Sequence, residues 1–216
     1  MKNISETKAI ILDLDGTLYF QKPLQLCMAL LLLISCILPN GVRNMKIILK
    51  YRKLYENHIV DKERYSRLSE KYNITSKEIQ SIVHSWLIKK PLFFIKLFRD
   101  RRLLSDMIRV QQSGIKLIVL SDYPTKEKLN AINFIPDFSY SSGELGVLKP
   151  NPLGLKQILT KHNLISSNCL LIGDRKDKDG ALAEKLGMNY ILLPGSFIIR
   201  HIKYKQIILC ITKILN

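Results

Sequence analysis

Acidic residues are scarce: 18 Asp and Glu face 34 Lys and Arg in 216 residues, a formal charge of +16 at pH 7. Glycine and proline are sparse too, with ten and eight, and no Gly/Ser/Pro-rich or Gln-rich tract occurs, which excludes collagen-like and repeat architectures and argues against long disorder. The four cysteines (Cys27, Cys36, Cys169, Cys210) lie far apart with no C-x-x-C pair. Disulfides and structural zinc are therefore not expected. No basic segment followed by an apolar run and a small-residue cleavage site opens the chain, so the expected location is cytoplasmic. Zinc-finger spacing and an aromatic RNA-binding signature are likewise missing, which disfavours nucleic acid as a partner. What is present is apolar: 47% of residues are hydrophobic and the mean hydropathy is +0.04, enough for one core domain with a modest insertion. The positive field favours anionic partners, and it is uneven, with 16 Lys and Arg against 6 Asp and Glu over residues 40–102.

Lys8–Asp15 is a short apolar run ending in two acids and followed by Gly16-Thr17. Ile and Leu on both faces predict a central parallel strand that emits the acids at its carboxyl end. The same grammar recurs: Ile115–Leu120 delivers Ser121-Asp122, Cys169–Ile172 delivers Gly173-Asp174, and Tyr190–Leu193 stops at Pro194-Gly195. Helical patterns fall between them, at about Arg99–Ser113, Thr125–Ile132, about Asn151–His162 and Asp179–Leu186. Alternating strands and helices predict an α/β, doubly wound parallel sheet, whose ligands bind beyond the carboxyl ends of the strands.

About a hundred residues separate the first strand from Ile115, far more than a crossover needs, so most form a small all-helical insertion. Its expected helices are Leu24–Leu38, Val42–His58, about Asp61–Tyr72 and Ser76–Lys89, the last opened by the capping box Thr75-Ser-Lys-Glu78. Trp86, Phe93, Phe94 and Phe98 read as core or hinge packing, and the isolated His58 and His84 carry no ligand motif. Leu24–Leu38 is apolar apart from Gln25 and Ser35. At about 22 Å it is too short to span the roughly 30 Å hydrocarbon core, so integral membrane insertion is disfavoured. The expectation is a buried or interface helix, with peripheral membrane contact left open. Arg43, Lys46, Lys50 and Lys53 form a stripe on the next helix, read as a solvated basic face.

Asp13 and Asp15, two residues apart at a strand-to-loop transition, can aim two carboxylates into one crevice; an Asp-Gly turn is the plain alternative. The other strand ends add a hydroxyl, a cation and further carboxylates. Together Asp13-Leu-Asp15-Gly-Thr17, Ser121, Lys149 in Gly146-Val-Leu-Lys-Pro150, and Gly173-Asp174-Arg-Lys-Asp-Lys-Asp179 resemble, in order, the four motifs of the haloacid dehalogenase superfamily in its phosphatase branch. The resemblance covers roughly residues 5–20 and 100–194. It implies a Rossmannoid catalytic core of residues 1–19 and 99–216, and a helical cap of the C1 type at 20–98. It also implies Asp13 as nucleophile, Asp15 as general acid and then base, and Thr17, Ser121, Asp122 and Lys149 as phosphate-binding residues. A magnesium ion would be held by Asp13, the Asp15 main-chain carbonyl, Asp174 and Asp179, with Asp177 a rival for the last place.

The expected function is a magnesium-dependent phosphatase acting on a small phosphorylated molecule through an aspartyl-phosphate. Two alternatives stand beside it: a phosphomutase of the same superfamily, and a non-catalytic basic protein that uses the fold for binding or membrane-surface contact. The sequence leaves the physiological ester and the oligomeric state unspecified.

Overall fold

The computed structural model describes residues 7–57 and 64–204. Two compact units divide the chain: Met1–Lys22 with Phe98–Asn216, and Pro23–Leu97.

The first unit is built on a five-stranded parallel sheet in the order β3-β2-β1-β4-β5, with β1 Ala9–Leu12, β2 Lys116–Ser121, β3 Phe138–Ser141, β4 Cys169–Gly173 and β5 Asn189–Leu192. β1 lies in the centre because every one of its residues is apolar and buried, as expected of a strand covered on both faces. Its register pairs Leu12 with Val119 on one side and Ile172 on the other. That alignment brings Asp13, Ser121 and Asp174 to neighbouring carboxyl ends. Ile11, Ile118, Leu120 and Leu171 pack with Leu155, Ile158 and Leu182 in one core cluster.

The edge strand β3 was not among the expected elements, since its four residues Phe-Ser-Tyr-Ser carry no apolar run; Phe138 is exposed and only Ser141 is buried. The crossover helices are α6 Arg101–Gln112, α7 Lys126–Ile132, α9 Pro152–Lys161 and α10 Ala181–Lys185, with the short α8 Ser142–Leu145 after β3. Each lies within an expected segment except α8, while residues 176–180 form a π-helical turn instead of the start of α10. A further helix, α11, is described over 197–204.

The second unit holds α2 Gly41–Asn57, α3 Arg64–Tyr72, α4 Ser76–His84, a π-helical turn Ser85–Lys89 and α5 Lys90–Leu97; α1, Gln21–Ser35, leads into it. Ile47, Ile48, Tyr51, Leu68, Ile79, Val83 and Trp86 make its core. The Thr75/Glu78 capping box is formed as read, with Thr75 Oγ1 accepting from Glu78 N and Glu78 reaching back to Thr75 N. His84 is exposed; His58 and residues 61–63 of the expected third helix lie outside the described residues.

Burial departs from one half of two expectations in this unit. Phe93 is 69% exposed, so it is not core. The apolar α1 is not buried either: Leu24 is its one buried residue, and Leu26, Leu30, Leu33 and Ile34 are all more than half exposed. Among the described residues, α2, α3 and α4 pack on one another with Trp86 in their core, and most of the α1 surface is left exposed.

Candidate active site

β1 delivers Asp13 into a loop that turns back at once: Leu18 N donates to Leu14 O, and Gly16 takes a φ of 92°, a left-handed conformation that costs a side-chain-bearing residue dearly. Asp13 N donates to Ile172 O at the end of β4, so this loop and the one after β4 are tied together.

The Asp13 carboxylate is buried. Its Oδ2 accepts from Thr17 Oγ1 at 2.8 Å, and its Oδ1 receives Lys149 Nζ at 2.5 Å. The same ammonium reaches Asp179 Oδ1 at 2.6 Å. Asp179 is fixed by Arg175 N, which donates to its Oδ2 at 3.1 Å. Asp13, Asp174 and Asp179 each offer an oxygen within 4.8 Å of the others. Asp177, the rival acid, is turned away: its carboxylate is exposed and held by Arg175.

Three carboxylates crowd one ammonium here. Burial raises the Asp13 carboxyl to about 7, with Lys149 pulling the other way and Asp179 and Asp15 adding to the rise. Burial and then Asp179 push Asp174 up to about 6. Lys149 would be lowered by burial, but Asp13 and Asp179 hold it firmly protonated. The cluster is short of positive charge, and Asp174 Oδ1 is buried without a hydrogen-bond partner. A hard divalent cation with oxygen ligands meets both needs, so the donor set fits magnesium.

Asp15 faces a different environment. Ser121 Oγ donates to its Oδ2 at 2.9 Å, while Lys128 Nζ at 2.5 Å and the Tyr19 hydroxyl share its Oδ1. Burial would raise its carboxyl, but Lys128 and these hydrogen bonds hold it below the usual carboxylate range. Tyr19 is raised well above a normal phenol by burial and by the Asp15 charge.

Asp122 is drawn into the scaffold. Its Oδ1 accepts from Lys149 N and Ser142 Oγ, each at 3.0 Å, and its Oδ2 from Lys178 Nζ at 2.5 Å. It braces the Lys149 loop beside Asp13 and Asp15, the place where the resemblance expects a phosphate-binding residue. Ser121 Oγ also accepts from Tyr123 N at 3.1 Å.

Lys128, Tyr19 and Arg200 were not anticipated. The helical period could have found Lys128, because Thr125, Lys128, Leu129 and Ile132 share the buried face of α7. Arg200 of α11 is buried and donates to the Gly16 and Thr17 carbonyls at 2.6 and 2.7 Å, and to Asp100 Oδ2 at 3.2 Å. Nothing in its sequence neighbourhood marks it.

A parallel α/β sheet with carboxylates, a hydroxyl and a lysine converging on its carboxyl edge defines a hydrolase-type site. The chain belongs to the haloacid dehalogenase-like hydrolases, whose family model matches residues 7–187. No curated protein sequence gives a significant match. Among solved structures, the chain is similar to a 2-haloacid dehalogenase from Pseudomonas syringae pv. Tomato DC3000, with 18% identity, 87% of this chain and 86% of that one covered, and a TM-score of 0.62. It is similar to a Bacillus subtilis protein described as an HAD-hydrolase bound to magnesium, with 13% identity, 87% and 86% covered, and a TM-score of 0.58. A predicted phosphoglycolate phosphatase from Haemophilus somnus 129PT shares 19% identity over 87% and 85%, with a TM-score of 0.57. At these identities the likeness is one of fold.

Proposed function

We propose that the protein is a magnesium-dependent phosphatase that hydrolyses a small phosphate monoester through an aspartyl-phosphate on Asp13. The observation that carries this reading is Lys149 Nζ, 2.5 Å from Asp13 Oδ1 and 2.6 Å from Asp179 Oδ1, within a buried carboxylate cluster that needs one more cation. An anionic nucleophile can approach an anionic phosphate only where positive charge is already in place.

Asp13, Asp174 and Asp179 would hold the metal, with the Asp15 main-chain carbonyl as a further ligand. Bound there, magnesium supplies positive charge that keeps Asp13 ionised and offsets the charge of the phosphoryl oxygens. Lys149 neutralises the same oxygens from the side, and Ser121 with Thr17 orients the phosphate. Asp13 attacks phosphorus as the ester P–O bond breaks, and the leaving oxygen takes a proton from Asp15, which Lys128 holds ionised at rest and which must therefore first take that proton from solvent. Asp15, again a carboxylate, then accepts a proton from water, whose oxygen attacks phosphorus and releases inorganic phosphate and free Asp13. The presence of Asp15 favours this over dehalogenation, which has no leaving alcohol to protonate.

The test uses a phosphoryl-labelled aryl ester. Asp15→Asn should lower turnover about 10²–10⁴-fold and accumulate a hydroxylamine-sensitive acyl-phosphate. Asp13→Asn should form none. Label on Asp13→Asn overturns the nucleophile, undiminished turnover in a chelator overturns the metal, and transfer of phosphate within a sugar phosphate instead of its release marks a mutase.

A further inference from the structure

Residues 23–42 contain no charged side chain, and most of them lie in or just after α1. Leu26, Leu30, Leu33, Ile34 and Ile37 follow one another at helical spacing and are 64, 51, 62, 61 and 86% exposed. Leu26 to Ile34 make a single apolar stripe of about 12 Å along α1, and Ile37 extends it into the turn that follows. Such a contiguous exposed patch marks an interaction surface.

The turn after α1 is compact, with Gly41 N donating to Leu38 O and Cys36 Sγ 3.7 Å from Met45 Sδ. α2 continues from it with an outward face that mixes Val42 and Leu49 with Lys46, Lys50 and Lys53, all exposed, while Ile48, Tyr51 and Tyr55 fill the inward face. Residues 23–97 carry thirteen Lys and Arg against five Asp and Glu, and Glu56 is the single acid in α1 and α2. The occupant must therefore combine an apolar interior with an anionic border. A second copy of this chain would bring the same positive border and repel. A structured protein groove is normally met by aromatic and arginine anchors, and the stripe has only Leu and Ile. A bilayer asks for no such register.

We propose that α1 lies in the interface of an anionic lipid bilayer, with the Leu26–Ile37 stripe among the acyl chains and Lys46, Lys50 and Lys53 over the headgroups. No helix among the described residues is long and apolar enough to cross a membrane, so the helix lies along the surface instead of spanning it. This inference is independent of the hydrolytic reading.

The full chain is sedimented with vesicles of phosphatidylcholine alone and with vesicles in which about a third of the lipid is phosphatidylglycerol. Binding is expected to the second only, and to weaken as salt is added. Lys50→Gln should weaken it about five-fold, the effect of one cation near the surface. Leu30→Ser with Leu33→Ser should weaken it more than tenfold. These side chains are exposed, so an unchanged circular dichroism spectrum should certify that the variants fold. No sedimentation with the anionic vesicles, or equal sedimentation with both kinds, overturns the proposal. A dimer in light scattering that the Leu30/Leu33 double variant dissolves also overturns it, because a second copy would then cover the stripe.

Discussion

Lys128 Nζ lies 2.5 Å from Asp15 Oδ1, and both side chains are largely buried, with 8% and 15% exposure. The pair makes Asp15 a carboxylate at rest. Lys128→Met should therefore do two things. Leaving a buried charge without its partner costs about 3–5 kcal/mol, measurable by urea unfolding at pH 7. The sign follows from the lowered Asp15 carboxyl: its stabilisation is present above the ordinary carboxylate range and lost as pH falls through the folded value, so the deficit of the variant should shrink in acid. Catalytically, the variant favours the protonated acid. Turnover of an alkyl phosphate should rise relative to that of an aryl phosphate, whose leaving group needs little protonation.

The raised carboxyls of Asp13, about 7, and Asp174, about 6, act in the opposite direction. Their contribution to stability is full below the ordinary carboxylate range and is lost as pH rises through 6 to 7. Protons compete with the metal for the same oxygens. Magnesium should therefore raise the melting temperature more at pH 8 than at pH 5. Asp174→Asn should remove most of that difference in thermal scans with and without the ion.

A Cβ placed on Gly16 would fall on the Asp174 carboxylate, and φ there is +92°. Gly16→Ala should cost about 1–2 kcal/mol in backbone strain. It should also weaken magnesium binding by about tenfold or more, because a displaced ligand no longer meets its partners. Gly114→Ala is the control: φ is +91° but nothing lies within 4 Å, so it should show the strain and leave titrations with magnesium unchanged.

Arg200 connects α11 to the Asp13 loop through Gly16 O, Thr17 O and Asp100, and its Nε donates to Pro194 O at 2.8 Å. Arg200→Met strands a buried carboxylate and three carbonyls, so a loss of about 3–5 kcal/mol is expected in denaturant unfolding. Arg200→Lys should recover only part of it, since one ammonium cannot reproduce the fork of a guanidinium.

Much of the core was legible because central parallel strands are continuous apolar runs. β1, β2, β4 and β5 announce themselves in this way, and the polar residues that end them mark the carboxyl edge where Asp13, Ser121 and Asp174 meet. The choice between Asp177 and Asp179 was not legible, because the spacing differs by only two residues. A π-helical turn over Lys176–Gly180 buries Asp179 against Lys149 and leaves Asp177 outside with Arg175.

By itself the sequence determined what depends on neighbours along the chain: the apolar strands, the amphipathic helices, the capping box at Thr75 and the order of the polar strand ends. Tertiary structure alone decided what depends on partners far away in sequence. Lys128 meets Asp15 across 113 positions and Arg200 meets Gly16 across 184, and no local pattern records either pairing. Apolarity marked α1 as a helix that wants cover, and only the tertiary structure shows that, among the described residues, most of it stays exposed. Periodicity reports which faces are apolar; what each face meets is settled when the chain has closed on itself.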